Sequence, residues 1–252
     1  MKQRPGPYLQ SRDYQSLFTI KLPRTRKTEI LPEDPLASHR LTPPSCTRYQ
    51  STMGSEIAAL EKEIHELGKK LAQVRKDAPP VEVPDYTLQT LTGPVKLSEL
   101  FARKDVLFAI HNMGQGCRYC TLWADGLNAF LPHLEDRFSV VLLSKDSPEI
   151  QQRFAHSRGW RFRMASHGLG AYAAEQTVTP GEPNMPGIVC YLREGGKILR
   201  KNAAEFGPGD EFCSIWPILS LAGFGEDDWT PQYSYWKKPA PKDMDDGGQN
   251  AC

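Results

Sequence analysis

The chain has 252 residues, with 31 basic and 30 acidic side chains and six cysteines. That length allows a sizeable core in one large domain or two small ones, and the balanced charge gives no electrostatic case for nucleic acid or an acidic lipid surface. Six cysteines are too few for a disulfide-dense secreted scaffold. No apolar stretch approaches the roughly 20 residues of a membrane span, and no charged-then-apolar leader opens the chain. A cytoplasmic, reducing setting is therefore expected.

Residues 1–52 hold nine Lys or Arg against four Asp or Glu, with seven prolines and little periodicity. Such a segment buries too little apolar surface to offset its ordering entropy, so a disordered tail is expected, with Met53 as an alternative start of the chain. An organelle transit segment is opposed by the prolines and by the lack of a clear amphipathic helix. Cys46 and His39 in this tail carry no functional weight.

From Ser55 to Arg75, within a helical unit 53–78, Ile57, Leu60, Ile64, Leu67, Leu71 and Val74 alternate spacings of three and four, a heptad pattern. Ser55 is a suitable cap, Pro79-Pro80 ends the run, and Gly68 weakens it. Two fates are open for this stripe: packing on the chain's own core, or on the same helix of a second subunit in a homodimer.

The spacing next predicts an extended segment over Val81–Leu91 and one helical turn over Leu97–Phe101. Asp105–Ile110 has the length of a buried strand, and a helix over 118–135 follows, marked by Leu122, Trp123, Leu127, Phe130, Leu131 and Leu134. Phe138–Leu143 reads as a second buried strand. Ser147 caps a helix whose first position is Pro148 and which Gly159 closes. Residues 160–165 read as extended and 170–176 as irregular or briefly helical. Gly187–Leu192 and Lys197–Arg200 flank Glu194-Gly-Gly196, a hairpin signal. A last helix is expected over about 211–222, with Phe212, Ile215, Trp216 and Leu219 on one face. The chain beyond is aromatic, then acidic and glycine-rich, and from Pro239 it is expected to be disordered.

Cys117-Arg118-Tyr119-Cys120 falls where the first buried strand ends and the 118–135 helix begins. A thiol there faces the helix's unpaired N–H groups and positive dipole end, which favour thiolate, and Arg118 adds a positive charge. A C-x-x-C pair at such a junction is a redox signal, against which stand half of a zinc site or two incidental buried cysteines. The element order β-α-β-α, then a hairpin, then a closing helix, with right-handed crossovers, makes residues 79–225 an α/β, three-layer thioredoxin-like domain, to which the helix over 53–78 is an N-terminal addition.

Gly116-Cys-Arg-Tyr-Cys-Thr-Leu-Trp-Ala-Asp-Gly126, continuing to Leu131-Pro-His-Leu134, resembles the thioredoxin-like family called domain of unknown function 899. Glu56–Arg75 followed by Pro80-Val-Glu-Val-Pro-Asp-Tyr86, and Arg158-Gly-Trp160, extend the likeness over roughly residues 55–225. The resemblance implies the thioredoxin-like fold and supplies no substrate. Thioredoxins place a cis-proline before the third strand, facing the cysteines; here Pro186 holds that position, after Met185. They carry a buried carboxylate six residues before the first cysteine, where this chain has His111, a group able to relay a proton near neutral pH or to serve only as a bonded strand-end histidine. Gly116 replaces the usual tryptophan, and Arg118-Tyr119 the usual Gly-Pro. Peroxiredoxins put a threonine or serine three residues before the nucleophile and a proline seven before it. Counting back from Cys117 gives Gly114 and Ile110, and from Cys120 gives Cys117 and Met113, so a peroxiredoxin-type peroxidase is disfavoured.

The leading expectation is thus thiol–disulfide exchange with protein or small-molecule disulfides and no cofactor: an exposed Cys117 attacks, a shielded Cys120 resolves, His111 deprotonates Cys120, and Pro186 shapes the substrate edge. A binding protein without turnover, and a metal site at Cys117 and Cys120, are the alternatives. Asp125, His133, His156 and His167 read as structural, and Cys190 and Cys213 as core residues.

Overall fold

The computed structural model describes the backbone of residues 46–235 and side chains from residue 54 onward. Residues 1–45 of the expected N-terminal tail, with His39, lie outside these, as do the Cys46 side chain and the stretch from Pro239. Two compact units divide the chain, residues 1–58 and 59–252. Of the first, only residues 46–58 are described, all within helix α1, Cys46–Asp77. The helix thus begins seven residues before the expected boundary at Met53. The nearest upstream breakers are Pro43 and Pro44, and nothing between them and Ser55 forbids a helix.

In the second unit the order is β1 (Val81–Val83), β2 (Thr87–Thr90), β3 (Gly93–Lys96), a 3-10 turn (Leu97–Phe101), β4 (Val106–Asn112), α2 (Arg118–Glu135), β5 (Ser139–Ser144), α3 (Pro148–Arg158), β6 (Arg163–Ser166), α4 (Ala171–Glu175), β7 (Gly187–Glu194), β8 (Lys197–Glu205) and α5 (Ile215–Ser220). One eight-stranded sheet runs β1-β8-β7-β4-β5-β6-β2-β3. β4, β5 and β6 are parallel neighbours, and β7 and β8 add the antiparallel hairpin. This is the α/β thioredoxin-like arrangement, with the sheet widened at both ends.

The widening comes from segments whose strands were short in sequence. β1 pairs with β8, and the β2–β3 hairpin joins β6 through Gln89 and Ser166. β3 was not expected; Pro94 within it is tolerated because β3 is the last strand of the sheet and needs no donor on its outer side. α5 is shorter than the expected 211–222 helix. Asp210 Oδ1 accepts the N–H groups of Phe212 and Cys213, at 2.8 and 3.0 Å, and holds those residues in a turn.

Alternation along the central strands splits the core in two. Leu107, Ala109, Val141, Leu143, Val189 and Tyr191 face one side, with the 3-10 turn and Tyr172. Ile110, Val140 and Leu142 face the other, where Trp123, Ala124, Leu127 and Leu131 of α2 pack with Ala155 and Trp216. Residues 59–74 of α1 are exposed apart from half-buried Gly68. The six heptad side chains are 38–69% exposed, so the expectation that they pack across the chain's own core is not met among the described residues.

Candidate functional site

α2 starts because Cys117 ends the incoming loop in an extended conformation (φ −95°, ψ 109°) and its sulfur caps the helix. Cys117 Sγ accepts the N–H of Cys120 at 3.1 Å, the place a Ser or Asp oxygen takes at most helix starts. Cys120 Sγ accepts the N–H of Met113 at 3.5 Å. Each cysteine sulfur therefore meets a backbone donor, Cys117 within the first turn of α2 and Cys120 from the loop before it.

The loop between β4 and α2 is pinned from below. Gly114 N–H donates to Asn112 Oδ1 (2.8 Å) and Gln115 N–H to Asp146 Oδ2 (2.7 Å). Gly114 lies at φ +113°, and a Cβ there would come within 2.8 Å of both Asp146 oxygens, so the turn requires glycine. Asn112 also reaches the Cys120 carbonyl through Nδ2 at 3.4 Å. Neither Asn112 nor Asp146 was expected at the site from the sequence. An Asn at the last position of a strand leading into a glycine turn was the available signal.

Cys117 was expected to be exposed. Instead Cys117 and Cys120 are 0% and 2% exposed. Aromatic side chains crowd this helix start: Tyr119 stacks with Trp216 at 6.3 Å, Trp123 with Phe206 at 5.6 Å, and Trp216 meets Trp229 edge-on at 5.8 Å. The stretch after α5 closes over it as well. Arg118, itself buried, donates from Nη1 to Gln232 Oε1 at 3.1 Å, and Arg158 Nη1 donates to the Tyr233 carbonyl at 2.9 Å. Arg118, next to Cys117, is thus tied to a residue more than a hundred positions downstream, a contact no local pattern reveals.

His111 is the second correction. It precedes Asn112 by one residue, so the alternation of β4 turns it to the opposite face of the sheet from Cys120. Its Nε2 lies 2.8 Å from Tyr172 Oη. Tyr191 Oη bonds to Tyr172 Oη and to Gln176 Oε1, both at 3.1 Å; Gln176 Nε2 donates to Tyr86 Oη at 3.0 Å, and Tyr86 donates to Glu175 at 2.6 Å. Burial, reinforced by His167 and Arg200, pulls His111 down to about 3, so it is neutral near pH 7. Burial pushes Tyr172 and Tyr191 up, and Tyr86 up to about 12. His111 is therefore a bonded member of a neutral polar network and has no direct path to Cys120.

Pro186 is buried and sits one residue beyond the His111–Gly187 pairing of β4 and β7, across from Asn112 at the end of the sheet where α2 begins. All peptide bonds among the described residues are trans, Met185–Pro186 included. The next residue, Gly187, has no room for a side chain: a Cβ would lie 2.3 Å from the Ala204 carbonyl oxygen.

Asp125 accepts from Trp160 Nε1 (2.7 Å) and from Arg158 Nε (3.2 Å) and Nη2, tying α2 to the end of α3. His167 accepts the Leu169 N–H at 3.2 Å and stacks on Tyr172. Burial pushes the Cys190 thiol up to about 11 and also raises that of Cys213. Among the described residues no group of three or more His, Cys, Asp or Glu stands together to hold a metal ion, so Cys117 and Cys120 lack further ligands of those types within this set.

Several solved structures are similar to part of the chain at low identity. Peroxidoxin BcpB from Mycobacterium tuberculosis is 20% identical, with 57% of this chain and 94% of that one covered and a TM-score of 0.42. Peroxiredoxin Q from Xanthomonas campestris is 18% identical, with 57% and 98% covered and a TM-score of 0.45. A putative thiol:disulfide interchange protein DsbE from Chlorobium tepidum is 21% identical, with 57% and 98% covered and a TM-score of 0.38. No curated protein matches. A family model matches residues 42–240, most of the chain and the whole of the cysteine site, and the chain accordingly belongs to the family described as bacterial protein of unknown function, DUF899.

Proposed function

We propose that the protein is a thiol–disulfide oxidoreductase whose redox pair is Cys117 and Cys120. The observation that carries this is the capping contact: Cys117 Sγ closes the first turn of α2 on the N–H of Cys120, so the two sulfurs share one turn at the positive end of an 18-residue helix. In the forward direction Cys117 thiolate attacks one sulfur of a substrate disulfide. A mixed disulfide forms and the other substrate sulfur leaves as thiolate. Cys120, as thiolate, then attacks Cys117 Sγ, forming the Cys117–Cys120 disulfide and releasing the second substrate thiolate. Two electrons pass to the substrate, and an external dithiol must return them. Both sulfurs are buried, so exchange requires the residues that cover them to move aside.

The burial also favours one rival, a thioredoxin-fold binding protein in which the cysteines are inert core residues. Insulin reduction driven by dithiothreitol separates the two. Exchange predicts turnover by the wild type, loss of all turnover in Cys117→Ser, and trapped mixed disulfides in Cys120→Ser. Turnover by Cys117→Ser overturns the assignment of the attacking sulfur. No turnover by the wild type, with no Cys117–Cys120 disulfide in thiol mass spectrometry after mild peroxide, establishes the binding protein instead.

A further inference from the structure

We infer that α1 is a self-association element: residues 57–74 of two copies pair antiparallel as a short coiled coil. Ile57, Leu60, Ile64, Leu67, Leu71 and Val74 repeat every three and four residues on one stripe, and all six are exposed. Among the described residues the helix is tied down at its C-terminal end. Asn202 Nδ2 donates to the Arg75 carbonyl at 3.0 Å, Lys201 Nζ to the Lys76 carbonyl at 2.8 Å, and Arg75 pairs with Glu211 at 3.4 Å. N-terminal to that anchor, a helix with no buried face is marginal in water unless another surface covers it.

The flanking charges select the second copy and its direction. In a parallel pair each residue before an a position meets the partner residue five places on. That sets Glu56 against Glu61 and Lys70 against Arg75, like charges in every charged contact of the seam. In an antiparallel pair Ile64 lies against Leu67, Leu60 against Leu71 and Ile57 against Val74. Glu63 then faces Lys70 twice by symmetry, at the centre of the seam. The unfavourable pair, Glu56 with Asp77, falls at the two ends, where Gln73 Nε2 bonds both Asp77 oxygens at 2.9 and 2.8 Å. Gly68 stands beside the seam with open space where a side chain would be, so helices approach there without a clash.

Sedimentation equilibrium of the full chain over the micromolar range tests this. The wild type is expected at twice the chain mass, and Leu67→Glu at the chain mass with its far-UV circular dichroism retained. Lys70→Glu turns two attractive pairs into two repulsive ones and should weaken the dimer about tenfold. Glu63→Lys combined with Lys70→Glu should restore it. A parallel pair predicts the reverse for Lys70→Glu, which would then face Arg75 and tighten association. A tighter Lys70→Glu dimer, a Leu67→Glu protein still at twice the chain mass, or a wild type that is monomeric throughout overturns the proposal; the last result would mean that the chain's own N-terminal segment or another molecule covers the stripe.

Discussion

Helices α1 and α2 both repeat apolar residues every three or four positions, yet Trp123 and Leu131 of α2 are 2% and 1% exposed while Ile64 and Leu67 of α1 are 69% and 64% exposed. The difference lies in the strand that each helix leads into. α2 runs directly into β5, a strand of six buried residues that forms a ladder with β4, so its stripe is delivered onto a sheet already in place. α1 leads through Pro79-Pro80 into β1, a three-residue strand at the sheet's rim, and its stripe is delivered to solvent. Periodicity states that a stripe needs cover; the connection decides whether the same chain can supply it.

The contrast is broken most directly by truncation. Trp123→Ala removes a buried ring that packs on Phe206 and Tyr119 and should cost about 3–5 kcal/mol in urea unfolding. Ile64→Ala, made in the Leu67→Glu background where the seam is open, should stay within about 0.5 kcal/mol. Similar losses at the two positions would show that the α1 stripe is covered within one chain.

Acid bears on two histidines on the Tyr172 side of the sheet. His111 is buried and His167 half-buried, and they are held down to about 3 and about 4, so in the unfolded chain they bind protons that the folded chain refuses. Stability is then fully present above about pH 6.5 and falls as pH drops toward 4, by up to about 1.4 kcal/mol per pH unit for each histidine. His111→Gln should flatten that slope when melting is followed by tryptophan fluorescence. An unchanged slope would show that His111 is not titrating against the fold.

The smallest expected effect sharpens the comparison from the backbone side. Gly126 of α2 has open space at the Cβ position, so alanine there should raise stability by about 0.5–1 kcal/mol through helix propensity, whereas alanine at Gly68 of α1 should gain less, because the proposed partner helix approaches it. Equal gains at the two positions, read from chemical denaturation of the intact protein, would show that no partner helix passes close to Gly68.

Much of the fold was legible because it is written locally. α2 was expected over 118–135 and is found there; the cap at Ser147, the proline after it and Gly159 fix α3 from three adjacent signals. The hairpin at Gly195-Gly196 was equally plain, with both glycines at positive φ. The site was legible only as a pair of cysteines on a helix start. His111 was placed one residue out of register with the sulfurs: counting six residues back from Cys117 ignores that the side of a strand is set by parity, and Asn112 holds the facing position.

By itself, the sequence determined the elements whose causes lie within a few residues of one another: the capped helices, the apolar strands, the glycine turns and the seam of α1. Hydrogen bonds from i to i−4, fixed φ at proline and side-chain alternation act over that range. Tertiary structure alone decided that Cys117 is buried, and that Gln232 and the Trp216–Trp229 pair meet the start of α2 from the far end of the described chain. It also decided that Tyr86, His111, Tyr172, Gln176 and Tyr191 share one buried network. Burial and polar pairing depend on which surfaces meet after the sheet has assembled, and that is a property of the whole chain that no window of the sequence contains.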